Sequence, residues 1–176
     1  FCARMLAGKE SVLEIGCGDA IGTPIVAQFV DRVHAIDIEE RLIESNNKRL
    51  EKIKNITFQA FDYSKISVTG QFDAVFSIDV LEHIPRASER KFMNHTCANL
   101  TPDGICIVGT PNITANRYAS ASSRGYHINL KSHSSLRDLL NRYFHNVFIF
   151  SMNDEVIHTG FSPMAHYLFG MGVGVR

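Results

Sequence analysis

The residues of this chain best suited to chemistry fall in a few short stretches. Gly16 and Gly18 flank Cys17 directly behind the apolar run Ser11–Ile15 (SVLEI). Glycines there let the backbone turn sharply and let a ligand approach it closely, although an ordinary strand-to-helix turn uses them too. The next glycine is Gly22, so the spacing is G-x-G-x-x-x-G and the dinucleotide pattern G-x-G-x-x-G is not met. Glu14 lies inside the apolar run. A buried carboxylate is costly without a partner, so Glu14 is expected to hold the glycine loop or a cationic ligand. Asp37 ends a second run about 20 residues on, where a carboxylate can accept both hydroxyls of a ribose. Capping the helix at Glu39-Glu40 is its competing role. Asp62, between Phe61 and Tyr63, can accept from an exocyclic adenine amine while a neighbouring side chain covers the ring. Ile38 would form the other wall, and a plain turn aspartate is the alternative.

A further stretch runs Ile78-Asp79-Val80-Leu81-Glu82-His83-Ile84-Pro85. His83 carries an imidazole that can take a hydroxyl proton, or else simply hold its loop by a hydrogen bond. Asp79 could orient an acceptor or cap the following turn. His127, His158 and Glu155 fall in irregular segments expected to flank the acceptor side, with Tyr118, Tyr126 and Arg124 lining a lid. Met152, Met164, Tyr167, Phe169 and Met171 read as core packing. A metal site would need carboxylates converging from the fourth and fifth strand ends, where only Asp79 and Asn112 stand, so no metal is expected.

These residues need a scaffold, and the pattern supplies one by alternating short β-branched runs with amphipathic segments. Strands are predicted at Ser11–Ile15, Arg32–Asp37, Asn55–Phe61, Phe72–Ile78, Ile105–Gly109, Asn146–Met152 and Tyr167–Val175. Helices are predicted at Ile21–Val30, Glu39–Ile53, Ser88–Leu100 and Ser134–Tyr143, the last capped by Ser134. Thr101-Pro102-Asp103-Gly104 reads as a turn, and Asn112–Asn129 as an irregular, functional loop. Strand-helix alternation means right-handed crossovers and a doubly wound α/β fold. The expected sheet has seven strands, mostly parallel, with an antiparallel strand at one edge. Ligands bind such sheets beyond the carboxyl ends of the strands.

Length and composition agree with one domain over residues 1–176. Hydrophobic residues make up 45% and charged residues 20%, the usage of a folded globular chain. Lys+Arg and Asp+Glu are each 18, so there is no general attraction to nucleic acid or anionic lipid. No apolar run reaches the roughly 20 residues needed to span a bilayer. The four cysteines form no C-x-x-C pair and read as free thiols in a reducing cytoplasm. The chain opens on Phe1, so a segment upstream is expected to be missing.

The set VLEIGCGDA, AID, FD, FDAVFSIDVLEHI and LTPDGICIVGTPN resembles the class I S-adenosylmethionine-dependent methyltransferases, nearest the branch of ubiquinone-biosynthesis O-methyltransferases. The resemblance covers about Ser11 to Asn112 and fades beyond. It implies a Rossmann-like fold and S-adenosylmethionine as cofactor, with S-adenosylhomocysteine as product. It also implies that Gly16 and Gly18, with Cys17, approach the methionine half of the cofactor. Asp37 would hold the ribose, Asp62 would read adenine, and backbone at Ser77-Ile78 would receive the amino group. His83 matches a histidine near the reacting centre. Ala20 stands where many members carry a third glycine, which is tolerable if its φ is negative. The implied activity is methyl transfer to an oxygen, less readily a nitrogen, of a small-molecule or saccharide acceptor. A non-catalytic cofactor-binding domain and an NAD-dependent oxidoreductase are the rival readings.

Overall fold

The computed structural model describes residues 1–176. Four strands, β1 (Ser11–Ile15), β2 (Arg32–Asp37), β3 (Ile56–Ala60) and β4 (Phe72–Ile78), lie parallel, with β1 between β2 and β4. Every residue of β1 is buried, as a central strand covered on both faces must be. β5 (Leu100–Pro111) extends the parallel set beside β4. β6 (Phe144–Asn153), β7 (Val156–His158) and β8 (Tyr167–Val175) complete a sheet of order β3-β2-β1-β4-β5-β8-β6-β7. The chain builds outward from β1 through β2 to β3, then crosses back to β4, so the topological switch lies between β1 and β4.

Helices cover both faces. α1 (Cys2–Met5), α2 (Thr23–Ala27) and α3 (Glu40–Arg49) pack on one side, where Leu6, Val26 and Ile43 meet Val12, Ala74 and Ile107. α4 (Arg86–Ala98) and α6 (His133–Asn141) pack on the other, where Phe92, Leu136 and Leu140 meet Leu13, Val75 and Cys106. Consecutive residues such as Val12 and Leu13 thus serve opposite cores, as the pleat requires. Leu13, Leu136 and Leu140 are fully buried, each contributing about 1.5–3 kcal/mol of transfer free energy. The glycines of β8 are there for α6 and its neighbour: a Cβ at Gly170 would meet Leu136 and Leu140, and one at Gly172 would enter the Phe144 ring. No helix is long and apolar enough to cross a membrane.

The mostly parallel sheet with antiparallel pairing at one end is as expected, with three differences. There are eight strands rather than seven, because the Asn153–Val156 turn folds β7 back on β6. β8 is inserted between β5 and β6, antiparallel to both. The Thr101–Gly104 turn signal is absorbed as a bulge in β5, where pairing with β4 jumps from Leu100 to Ile105. Two local readings also change. The α6 N-cap is Ser132, in a capping box with Ser135, rather than Ser134. The stretch expected to be an irregular loop holds a 3₁₀ helix, Ile113–Tyr118, and α5 (Ala121–Tyr126), capped by Asn112 and Ser120.

Candidate active site

The carboxyl ends of β1, β2 and β4 open onto a cavity of about 520 Å³. Gly16, Asp37, Ile38, Phe61, Asp62 and His83 line it, so most of the residues singled out from the sequence do converge. Gly16 (φ 76°) and Gly18 (φ 52°) both adopt left-handed backbone, and a Cβ on Gly16 would overlap a methyl of Val80. The turn after β1 therefore lies against the segment after β4 with no room for a side chain. Ala20 has φ 53°, so the negative φ that would make its methyl group tolerable is not met. A left-handed alanine costs about 1–2 kcal/mol. Its N–H donates to the Cys17 carbonyl at 2.8 Å, and the Arg49 guanidinium holds the neighbouring Asp19 carbonyl.

Asp37, not Glu14, holds the glycine loop. One Asp37 oxygen accepts from Gly18 N–H at 2.8 Å and the other from Glu39 N–H at 2.9 Å. Each carboxylate oxygen keeps a free lone pair toward the cavity, enough to accept from a diol. Asp62 is fastened by its own turn, accepting from the Ser64 hydroxyl at 2.5 Å and pairing with Lys65 at 2.9 Å. Those contacts hold its carboxyl below the usual range. Ile38 stands largely exposed at the rim, where it can cover a ring face. Tyr63 also lines the cavity, anchored from below: its hydroxyl donates to Asn99 and its ring packs edge-on against Phe92.

A second cavity, about 430 Å³, lies beyond the glycine turn and is lined by Glu14, Cys17, Asp19 and Phe169. It shares Gly16, Ile78 and Asp79 with the first. Glu14 is the notable group there. One of its oxygens is buried without a hydrogen-bond partner, and burial pushes its carboxyl up to about 7. That is an uncompensated acceptor beside a ligand-sized space, suited to an ammonium group. The Cys17 thiol is pushed up to about 12 by burial, which makes it inert packing. Ser77 is buried in register with Ile15 and Val108 and lines neither cavity.

A third cavity, about 410 Å³, is lined by Asp79, Asn116, Tyr118, His127, His166 and Tyr167 among others. Asp79 (φ 56°) is the residue common to all three cavities. Beside it, His83 Nδ1 lies 3.1 Å from the Tyr126 carbonyl. A carbonyl only accepts, so the proton sits on Nδ1 and Nε2 is left with its lone pair. The His83 and His127 rings meet edge to face at 5.2 Å, and burial together with that neighbour keeps His127 below its ordinary value.

Glu82, His83 and His127 bring ligand atoms within 4.8 Å of one another, a donor cluster that the sequence reading did not foresee. Glu82 is fully buried, accepts from Thr110 at 3.1 Å and keeps its other oxygen unpartnered. Asn112 is not part of this cluster. Its amide donates to the Ser162 and Ala165 carbonyls, both at 2.8 Å, clasping together the two segments that border the third cavity.

His158 and Glu155 are not brought to this site. His158 lies on the edge hairpin, bonded to Asn153 and Gly160 N–H, and lines none of the three cavities. Met164 is 77% exposed rather than core. Tyr167, read as core, lines the third cavity with its hydroxyl buried and unbonded. Its one sequence signal was chemical: a phenol in a core needs a partner.

Comparison with known proteins places the chain in a family. The family described as a methyltransferase domain matches residues 12–104. A ubiquinone biosynthesis O-methyltransferase from Dechloromonas aromatica is 34% identical over 127 residues, covering 68% of this chain and 51% of the relative. Nodulation protein S from Bradyrhizobium diazoefficiens is 28% identical over 109 residues, covering 61% and 52%. The chain thus spans about half the length of the curated relatives it matches. The N-methyltransferase NodS from Bradyrhizobium japonicum WM9, solved with S-adenosyl-L-homocysteine, superposes with a TM-score of 0.74 at 17% identity. That match covers 98% of this chain and 82% of the other, and it shows the fold.

Proposed function

The chain belongs to the methyltransferase domain family, and from that premise we propose that it moves the methyl group of S-adenosylmethionine to an oxygen, or less readily a nitrogen, of a small acceptor. The observation that carries this reading is the meeting of three cavities at Asp79: one walled for an adenosine, one with an orphaned carboxylate, one left for the acceptor. The residues fit the cofactor. Asp37 would take the ribose hydroxyls, and Ile38 and Phe61 the adenine faces, with Asp62 at the ring edge. Glu14 would take the ammonium, and the side-chain-free Gly16 would let the thioether pass.

When bound, S-adenosylmethionine supplies a methyl group on a sulfonium; the carbon–sulfur bond breaks with its electron pair kept by sulfur as the bond to the acceptor forms. The chain's part is to fix the acceptor in line and near contact, which alone can supply several kcal/mol. His83 Nε2, freed by the Nδ1 bond to Tyr126, accepts the hydroxyl proton. A second reading rests on the donor cluster. A divalent cation held by Glu82, His83 and His127 would acidify the acceptor hydroxyl instead. The four free thiols support a reducing, cytoplasmic setting.

The test is calorimetric titration with S-adenosylmethionine and with NAD, followed by S-adenosylhomocysteine release over an acceptor panel. Binding of the first alone, with turnover, is expected. Binding without turnover on any acceptor would favour the non-catalytic reading, and NAD binding the oxidoreductase one. Turnover that survives a chelator assigns the proton to His83; turnover lost to it and restored by a divalent metal assigns the cluster to a cation.

A further inference from the structure

The third cavity shares Asp79, and no other lining residue, with each of its neighbours. Two of its polar atoms are unanswered. Asn116 Oδ1 and Tyr167 Oη are both buried without a hydrogen-bond partner, and an unpartnered buried polar atom is costly until a ligand answers it. The Asn116 oxygen and the Asp79 carboxylate can only accept, so the answering groups must donate. No lysine or arginine lines this space. Two arginines are engaged at its rim: Arg124 donates to the Ala119 carbonyl at 2.5 Å, and Arg117 lies 4.6 Å over the Tyr118 ring. An anionic ligand would therefore face Asp79 inside the cavity, where the basic side chains are His127, kept below its ordinary value by burial, and His166. Tyr118, 77% exposed, adds an aromatic ring at the mouth. The ring face that Arg117 does not cover suits the C–H face of a saccharide.

We infer that this cavity seats the methyl acceptor, and that the acceptor is an uncharged polyhydroxyl compound of saccharide type, not a phosphate, a carboxylate or an apolar phenol. Its hydroxyls donate to Asp79 and Asn116, Tyr167 Oη bonds a further hydroxyl, and the hydroxyl nearest Asp79 is the one methylated. The inference rests on the methyltransferase reading and narrows it.

The experiment uses the whole chain with S-adenosylmethionine and three acceptor arms: neutral mono- and disaccharides, the phosphates of the same sugars, and catechol. Product is read as a gain of one methyl mass together with S-adenosylhomocysteine. Neutral saccharides are expected to turn over, with kcat/KM for the matched phosphates lower by about tenfold or more. Asn116→Leu and Tyr167→Phe are expected to raise KM for the saccharide about 5–10-fold while the Kd for S-adenosylmethionine stays within about twofold. The phenylalanine variant keeps the ring, so its fold is preserved as a control on packing. Preference for a phosphate or for catechol, no turnover of any saccharide by protein that binds S-adenosylmethionine, or an unchanged KM in both variants would each overturn the inference. Failure to bind S-adenosylmethionine at all would instead overturn the methyltransferase reading beneath it.

Discussion

Asp37 Oδ2 accepts from the backbone N–H of Gly18 at 2.8 Å, tying the end of β2 to the turn after β1 at the edge of the first cavity. One carboxylate therefore shapes the loop and lines the cavity. Asp37→Ala is expected to lose a charge-assisted hydrogen bond worth about 1.5–3 kcal/mol and the ribose contact with it. S-adenosylmethionine affinity should fall by about two orders of magnitude, read by calorimetry. Asp37→Asn, which keeps one acceptor oxygen, should fall less.

The glycine turn offers a paired test. At Gly16 the backbone has φ 76° and an added Cβ would run into Val80. Gly16→Ala should therefore lower the melting temperature and abolish cofactor binding together. At Gly22 nothing lies within 4 Å of an added Cβ and φ is not positive, so Gly22→Ala is expected to be neutral within about 0.5 kcal/mol.

Glu14 couples the fold and the ligand to pH in opposite directions. Its ordinary value of 4.5 is pushed up to about 7 by burial. Between these, the folded chain holds a proton that the unfolded chain has released. Stability is therefore full below pH 4.5 and is lost as pH rises toward 7. Ammonium binding needs the carboxylate, so cofactor affinity should rise across the same window. Glu82 is shifted in the same direction, and Glu14→Gln should remove about half of the stability slope while abolishing the affinity trend. Thermal melts and titrations from pH 5 to 8 check both.

His83→Ala should lower kcat by about 10²–10⁴-fold, with the Kd for S-adenosylmethionine within about twofold. Loss of cofactor binding alongside turnover would show that the Nδ1 bond to the Tyr126 carbonyl, 3.1 Å long, serves only to hold the loop.

Asn112→Ala strands the Ser162 and Ala165 carbonyls that its amide joins. The expected cost is about 2 kcal/mol, or about 4–8 °C in melting temperature. The KM for the acceptor should rise more than the Kd for the cofactor, because Asn112 lines the third cavity and neither of the other two that meet at Asp79.

The lining of the first cavity was legible in the residues because it is local. A strand followed by Gly16-Cys17-Gly18 and a strand ending in Asp37 each declare themselves over a few neighbouring positions, and parallel pairing of β1 with β2 brings Ile15 beside Ile36 without further instruction. The acceptor half is assembled from distant segments. Tyr167 reaches the site because β8 inserts antiparallel to β5, setting it opposite Pro111. His127 meets His83 only through the fold of the segment between Asn112 and Lys131. His158 shows the converse: a histidine in a polar loop, which chain order allowed near the acceptor, is carried to the far edge by a three-residue strand.

Periodicity and glycine spacing by themselves thus determined a doubly wound sheet and the ligand-facing ends of its first, second and fourth strands, since hydrophobic alternation and turn chemistry act between near neighbours. Which buried polar atoms would be left without partners, Glu14, Asn116, Glu82 and Tyr167 among them, was decided only in three dimensions. Hydrogen-bond satisfaction depends on what long-range packing brings alongside each group, and no spacing along the chain encodes that.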